Sequence, residues 1–292
     1  MKKFLKKYES YLFVAPLLIF VALFVLIPIV GSVWTSMFRD VTFLKMKFIF
    51  LDNYGDLLRD EGFWKSLRFT LLFIAVTVPL ELIIGTAFAV VLDLNIPFRG
   101  LLRACVLVPW AIPSAISAKI WELIYNYSYG LANYVLLTTG LSDAPINWIG
   151  TDIGAFTTVV VADVWKTAPF VALLVLAGLQ SVPSDLRLQA KIDRANFLQT
   201  FFLITLPLLR PVLLVSLLFR TIDSLRVFDV IYVLTHGGPG GATTSVSLYA
   251  YKYFLGGDFG YGSAISVLLF LVAFIMSVFY IKISKFQDDA IQ

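Results

Sequence analysis

At 292 residues, 59% of them hydrophobic and only 14% charged, with mean hydropathy +0.87, the chain carries more apolar surface than a soluble fold of this size can hide. Lipid is therefore its solvent. The formal net charge of +4 is small and unevenly spread, so it informs topology and gives no sign of nucleic-acid binding. The lone Cys105 lies inside an apolar run, cannot form an internal disulfide, and reads as a small buried hydrophobe.

Lys2, Lys3, Lys6 and Lys7 precede a stretch, 10–38, that contains no charge at all. It is longer than the ~7–15 residues of a signal-peptide core and is expected as a retained first span. A span needs ~20 mostly apolar residues. Six stretches qualify, at about 11–34, 70–92, 102–125, 154–179, 208–234 and 261–283. The expected fold class is all-α integral membrane, with six transmembrane helices in one domain over residues 1–292. Pro16, Pro28, Pro79, Pro109, Pro113 and Pro169 predict kinks within spans. The segment 108–113 (VPWAIP) is expected to bend twice.

With the N-terminus in the cytoplasm, twelve Lys and Arg residues fall on the inner side and seven on the outer side. That bias predicts an inner-membrane, multi-pass protein with both termini cytoplasmic. The connections 126–152 and 235–260 then lie outside, each with an apolar or aromatic middle suited to the interface. No tandem repeat or low-complexity tract is present.

The segment 181–211 is too polar for lipid and too patterned for a linker. Its apolar residues recur at helical spacing (Leu186 and Ala190, Ile192 and Ala195, Phe197 and Phe201), among the charges Asp185, Arg187, Lys191, Asp193 and Arg194. A short helix pair here would form a docking handle for a soluble partner, in a loop at 181–207.

Nothing in the sequence marks a catalytic centre or a metal site. It has no phosphate-binding glycine loop and no Cys/His cluster, and His236, in a glycine-rich turn, is the single histidine. The fifth span carries Arg220, Asp223, Arg226 and Asp229 at three-residue intervals, and the fourth carries Asp163, Trp165 and Lys166. Asp163 and Lys166 are placed to neutralise one another. Trp165 suits either stacking on a sugar face or ordinary packing. Glu81 is a further buried charge, while Lys119 and Glu122 can snorkel to the interface. Two readings stay open for these ionisable groups. They neutralise one another and hold the bundle together, or they wall a water-filled path for a hydroxylated or charged solute.

The landmarks 102–113 (LRACVLVPWAIP), 145–150 (PINWIG), 163–169 (DVWKTAP), 206–211 (LPLLRP) and 228–239 (FDVIYVLTHGGP) follow one another in a familiar order. Together they resemble the inner-membrane permease subunits of binding-protein-dependent ABC importers, the subfamily handling maltose, trehalose, other oligosaccharides and glycerol phosphate. The resemblance covers essentially the whole chain. It implies a MetI-like permease fold and alternating access, with no enzymatic step in this chain. ATP and Mg would be held by a cytoplasmic ATPase dimer, a second permease subunit would complete the pathway, and an extracytoplasmic solute-binding protein would deliver a sugar-like solute. The family's coupling loop, Glu-Ala-Ala-x-x-Asp-Gly-Ala followed by Leu-Pro, aligns with residues 188–195 and 206–207. Ala190, Asp193, Ala195, Leu206 and Pro207 match it, with Asp185 just upstream. Leu188, Gln189 and Arg194 replace Glu, Ala and Gly. Leu188 removes a charged contact, and Arg194 stands where glycine permits positive φ. The solute path implied is Asp163, Trp165, Lys166, Arg220, Asp223, Arg226 and Asp229. An ion-coupled secondary carrier, using Asp163, Asp223 or Glu81, and a non-transporting scaffold subunit are the alternatives.

Overall fold

The computed structural model describes residues 13–95 and 97–289. Lys2, Lys3, Lys6, Lys7 and the first residues of the predicted 11–34 span lie outside them. In chain order the helices are α1 (Phe13–Ser36), α2 (Asp52–Arg59), α3 (Glu61–Asp93), α4 (Arg99–Ala111), α5 (Ser114–Ile124) and α6 (Leu131–Thr138), then α7 (Asp152–Gln180), α8 (Ser184–Ile192), α9 (Phe197–Leu225), α10 (Asp229–Leu234), α11 (Val246–Leu255) and α12 (Phe259–Asp289). Helices α1, α3, α7, α9 and α12 are long and apolar enough to cross a membrane. A sixth crossing is made if α4 and α5, which meet at 92°, act as one span.

That angle has a local cause. Pro113 lacks an N–H and pushes the residue before it out of helical conformation, and Ile112 is extended (φ −71°, ψ 133°). Of the two bends expected in 108–113, only the one at Ile112–Pro113 ends a helix; Pro109 sits inside α4. The fifth span also departs from its predicted 208–234. Helix α9 begins at Phe197, runs through a π-helical turn at Phe201–Thr205 just before Pro207, and stops at Leu225. Apolar Phe201, Phe202, Leu203 and Ile204 carry the helix upstream. Downstream, the residues of 227–234, apolar apart from Asp229, mask a break in the backbone that hydropathy does not register.

The described residues form two compact units. One comprises residues up to Phe63 together with Tyr249–Leu271. In it, β1 (Phe38–Arg39) and β2 (Lys47–Phe48) form an antiparallel hairpin, and Asn53 donates to the carbonyls of Ser36 and Phe38 at 2.8 and 2.9 Å. Asp60 Oδ2 accepts hydrogen bonds from the Tyr249 and Tyr261 hydroxyls at 2.6 and 2.9 Å, while Oδ1 accepts the Gly62 N–H at 2.8 Å. Burial pushes the Asp60 carboxyl up, but the bonds from Tyr249, Tyr261 and the backbone of Gly62 and Phe63 outweigh it. The group is held below its ordinary value of 3.8.

The second unit comprises Trp64–Leu248 and the residues from Val272 on. Its centre is α7, with 67% of its membrane-grade window buried inside the protein, against none for α1. Thr151 caps α7 by accepting the Gly154 N–H at 3.1 Å. Lipid is as apolar as a leucine side chain, so close packing holds these helices together more than water exclusion does. Gly85 provides that closeness between α3 and α7: a Cβ there would lie 2.6 Å from Val171 Cβ and 2.7 Å from the Ala168 carbonyl. Below it, Ala89, Leu92, Val171, Val175, Leu176, Leu179 and Leu209 form one buried cluster joining α3, α7 and α9.

Candidate functional site

A cavity of about 410 Å³ opens within the second unit, where α4, α5, α7, α9 and α10 converge. Asp163, Lys166 and Thr167 line it from α7, and Arg220, Asp223 and Ser224 from α9. The linker adds Arg226 and Phe228, α10 adds Asp229, and Trp110 and Ser114 come from either side of the α4–α5 bend.

Arg220, only 3% exposed, organises the charges. Its Nε donates to Glu81 Oε2 at 2.6 Å and its Nη2 to Glu81 Oε1 at 3.0 Å, a two-point grip on α3. Nη1 donates to Asp223 Oδ2 at 2.6 Å, and Nη2 lies 3.7 Å from Asp163 Oδ2. The Thr167 hydroxyl is within reach of both Glu81 Oε1 (2.8 Å) and the Asp163 carbonyl (2.6 Å). Asp163 Oδ2 is buried and has no hydrogen-bond donor. On the open side, Asp223 Oδ1 accepts from Arg226 Nη2 at 3.0 Å.

Four expectations change here. Asp163 and Lys166 do not pair: Lys166 Nζ donates to the carbonyls of Ile112 and Trp110 at 2.7 and 3.3 Å, and Asp163 turns to Arg220. The series from Arg220 to Asp229 is not one spiral, because α9 ends at Leu225, Arg226 is its C-cap and Asp229 opens α10. The intervening Val227 carbonyl is satisfied by the Ser245 hydroxyl at 2.7 Å, so the break is built in. Trp165 does not join the polar cavity. At 100° per residue it lies 200° around α7 from Asp163, in an apolar cavity of about 480 Å³, edge-on to Trp121 at 5.7 Å. Cys105 lines that apolar cavity with exposed surface, contrary to the buried placement expected of it.

At the other end of this unit, α8 carries Asp185, Leu188 and Gln189 on exposed surface, and Asp193 and Arg194 at its exit are exposed too. Leu188 (55% exposed) and Ile192 (80%) form an outward apolar ridge at i,i+4, whereas Ala190 is 3% exposed and faces inward. Arg194 adopts φ +55°. The Arg194 N–H bonds to the Lys191 carbonyl at 3.1 Å and the Ala195 N–H to the Ala190 carbonyl at 2.9 Å, the Schellman closure that usually uses glycine. Asn196 then starts α9 with a reciprocal capping box to Gln199, 2.8 Å each way. Leu206 and Pro207 are half-buried within α9, directly after its π turn.

Residues 81–285 match the family of binding-protein-dependent transport system inner membrane components. The chain belongs to this family. The permease is 53% identical over 281 residues to the trehalose/maltose transport system permease protein MalF of Thermococcus litoralis, covering 96% of this chain and 95% of that one. It is 36% identical over 282 residues to the sulfoquinovosyl glycerol transport system permease protein SmoG of Agrobacterium fabrum, covering 95% and 90%. Its fold is that of a bacterial ABC transporter chain involved in the import of the acidic polysaccharide alginate, with TM-score 0.84, 22% identity and 97% of each chain covered. Trp110, Ser114, Thr167, Ser224 and Phe228 line the permease's polar site without having been assigned to it from sequence, and Glu81, expected only as a further buried charge or a carrier's coupling residue, anchors Arg220 behind it. A carboxylate midway along an apolar span was the one signal for Glu81. Nothing in the local pattern chose Trp110 over Trp165.

Proposed function

We propose that this permease carries a sugar, or a related polyol or glycerol phosphate, through the membrane as one half of an ATP-driven importer, its residues 1–292 working as a single transmembrane domain. The observation that carries the reading is the charged cavity enclosed by otherwise apolar, membrane-grade helices, since ionisable groups at that depth belong on a polar path or a partner. Asp163, Lys166, Arg220, Asp223, Arg226 and Asp229 border the path, and Trp165 stands outside it. The sugar class is supported by the relatives whose names include trehalose, maltose and sulfoquinovosyl glycerol.

A second permease subunit supplies the facing half. A cytoplasmic ATPase dimer holds ATP and Mg, and an extracytoplasmic binding protein delivers the solute. Both termini lie in the cytoplasm. Asp185, Leu188, Gln189, Asp193 and Arg194 form the surface that meets the ATPase, while Ala190 and Ala195 seat the α8–α9 turn against the body. Leu206 and Pro207 lie where motion enters the span. Helix α9 runs unbroken for 29 residues, roughly 40 Å, from this turn to Arg220 and Asp223, so displacement at one end reaches the cavity through a single rod.

The test is reconstitution in lipid vesicles with the second permease, the ATPase and the binding protein. Trehalose uptake that needs both ATP and the binding protein is expected. Uptake by this chain alone, driven by a proton or sodium gradient, would identify a carrier and overturn the proposal.

A further inference from the structure

We propose that the hollow behind α8 holds one anionic phospholipid, its phosphate on Lys191 and an acyl chain between the end of α3 and the first turns of α9. The leaflet and the effect on coupling rest on the permease reading above; the site itself does not. Among the described side chains of α8, only Ala190 is buried, so the helix touches the body at one small residue. Two cavities flank that contact. One, of about 410 Å³, runs between the end of α3 and the start of α9; the other, of about 360 Å³, lies between the end of α7 and the start of α8. Asp93, Leu179 and Lys191 line both, so the two meet at Lys191.

The larger cavity is an apolar slot with one cation at its edge. Leu94, Leu179, Phe197 and Phe201 wall it, the two phenyl rings stacked at 6.3 Å and 14°. Among the described residues nothing pairs with the Lys191 ammonium, whereas Asp93 at the shared rim is already engaged. The slot lies at the ends of three membrane-grade helices, α3, α7 and α9, the level at which headgroups sit and long cationic side chains reach for phosphate. Arg103, with Nη2 3.5 Å from the Leu92 carbonyl, adds a second cation on the same side. A small anion would answer Lys191 and leave the phenyl walls wet, and an uncharged chain would do the reverse. A phospholipid answers both. Filling the slot wedges α8 against α3 and against the π turn at Phe201–Thr205, so a push on α8 passes into α9 instead of being absorbed by a void.

The test uses the complex of both permeases and the ATPase in nanodiscs of phosphatidylcholine, with and without phosphatidylglycerol. Native mass spectrometry then reads the lipid kept after extraction. The unmodified complex should keep phosphatidylglycerol in preference to phosphatidylcholine. Lys191→Gln should lose about tenfold of that preference and Lys191→Arg should keep it, as expected for one charge-assisted contact. Thr200→Trp, which fills the slot with Lys191 intact, should also expel the lipid. If that variant does not assemble, Leu94→Trp enters the same slot from α3 and decides. Phosphatidylglycerol should raise binding-protein-stimulated ATP hydrolysis by the unmodified complex and leave that of Lys191→Gln unchanged. Equal retention by the unmodified and Lys191→Gln complexes, or equal retention of the two lipids, overturns the site. Lys191→Gln keeping the lipid while losing the ATPase would assign the slot to the ATPase and overturn it too. A retained lipid without effect on stimulation overturns the wedge. If the binding protein stimulates no hydrolysis in any complex, the permease reading fails, and lipid retention still decides the site.

Discussion

Arg220 holds both carboxylate oxygens of Glu81, at 2.6 and 3.0 Å, and so ties α9 to α3 across 139 residues of sequence. Asp223 takes the remaining edge of the same guanidinium. One cation thus serves as bundle glue and as the wall of a cavity, so the two readings of these charges are not exclusive.

Glu81→Ala removes the two-point partner of a buried guanidinium, which keeps Asp223 and Asp163, and should lower stability by about 1–3 kcal/mol. Thermal unfolding in detergent measures this. The double change Glu81→Leu with Arg220→Met removes that pair together but leaves Asp163 without its cation, so it should recover only part of the loss. A single Glu81→Ala variant as stable as the unmodified chain would contradict the buried pair.

Arg194→Gly should stabilise the α8–α9 turn by about 1 kcal/mol, because glycine adopts φ +55° without the side-chain crowding that arginine suffers there. Arg194→Val should act in the opposite direction. The same unfolding assay decides, and a loss of stability in the glycine variant would refute the strain.

Gly85→Ala forces a methyl against Val171 Cβ and the Ala168 carbonyl, and backbone cannot give way as a flexible side chain can. Separation of α3 from α7 should cost about 1–3 kcal/mol. Gly55→Ala, at a glycine with open space around it, is the control and should leave packing undisturbed.

The Asp60 carboxyl is held below 3.8 in the folded chain, so its contribution to stability is complete above the unfolded-state value and is lost as pH falls through 3.8 and below. Tyr249→Phe removes the 2.6 Å donor and should flatten this acid limb of the stability profile. Identical acid profiles for the variant and the unmodified chain would rule out that contribution.

Leu188→Asp places charge on an exposed apolar ridge, where folding has little at stake. It should weaken ATPase stimulation at least tenfold, an interface loss of roughly 1.5–3 kcal/mol for one buried leucine. Full stimulation with Leu188→Asp would remove α8 from the interface.

Apolar run length located the spans well, because lipid imposes that one-dimensional rule directly. Helix ends were less legible. Val227, Phe228 and, past Asp229, residues 230–234 are as hydrophobic as a span, yet Ser245 from a distant turn satisfies the carbonyl that lets the backbone break there. The charged residues of the site could be picked out for the same reason as the spans, each being costly in lipid. Their pairing was hidden, since Glu81 and Arg220 meet only through packing of α3 against α9. Facing was hidden too: Trp165 and Lys166 are chain neighbours, yet they serve different cavities. The αL turn at Arg194, by contrast, was foreshadowed by the glycine expected at that position.

The interruption between Leu225 and Asp229 divides the rim of the polar cavity between two levers. Arg220 and Asp223 ride on the long rod, Asp229 on a short one, and only Arg226, Val227 and Phe228 connect them. A torsion confined to these three residues would shift the two parts of the rim relative to one another while the hydrogen bonds inside either helix stay intact. A cavity widened in that way would need no unfolding of either helix.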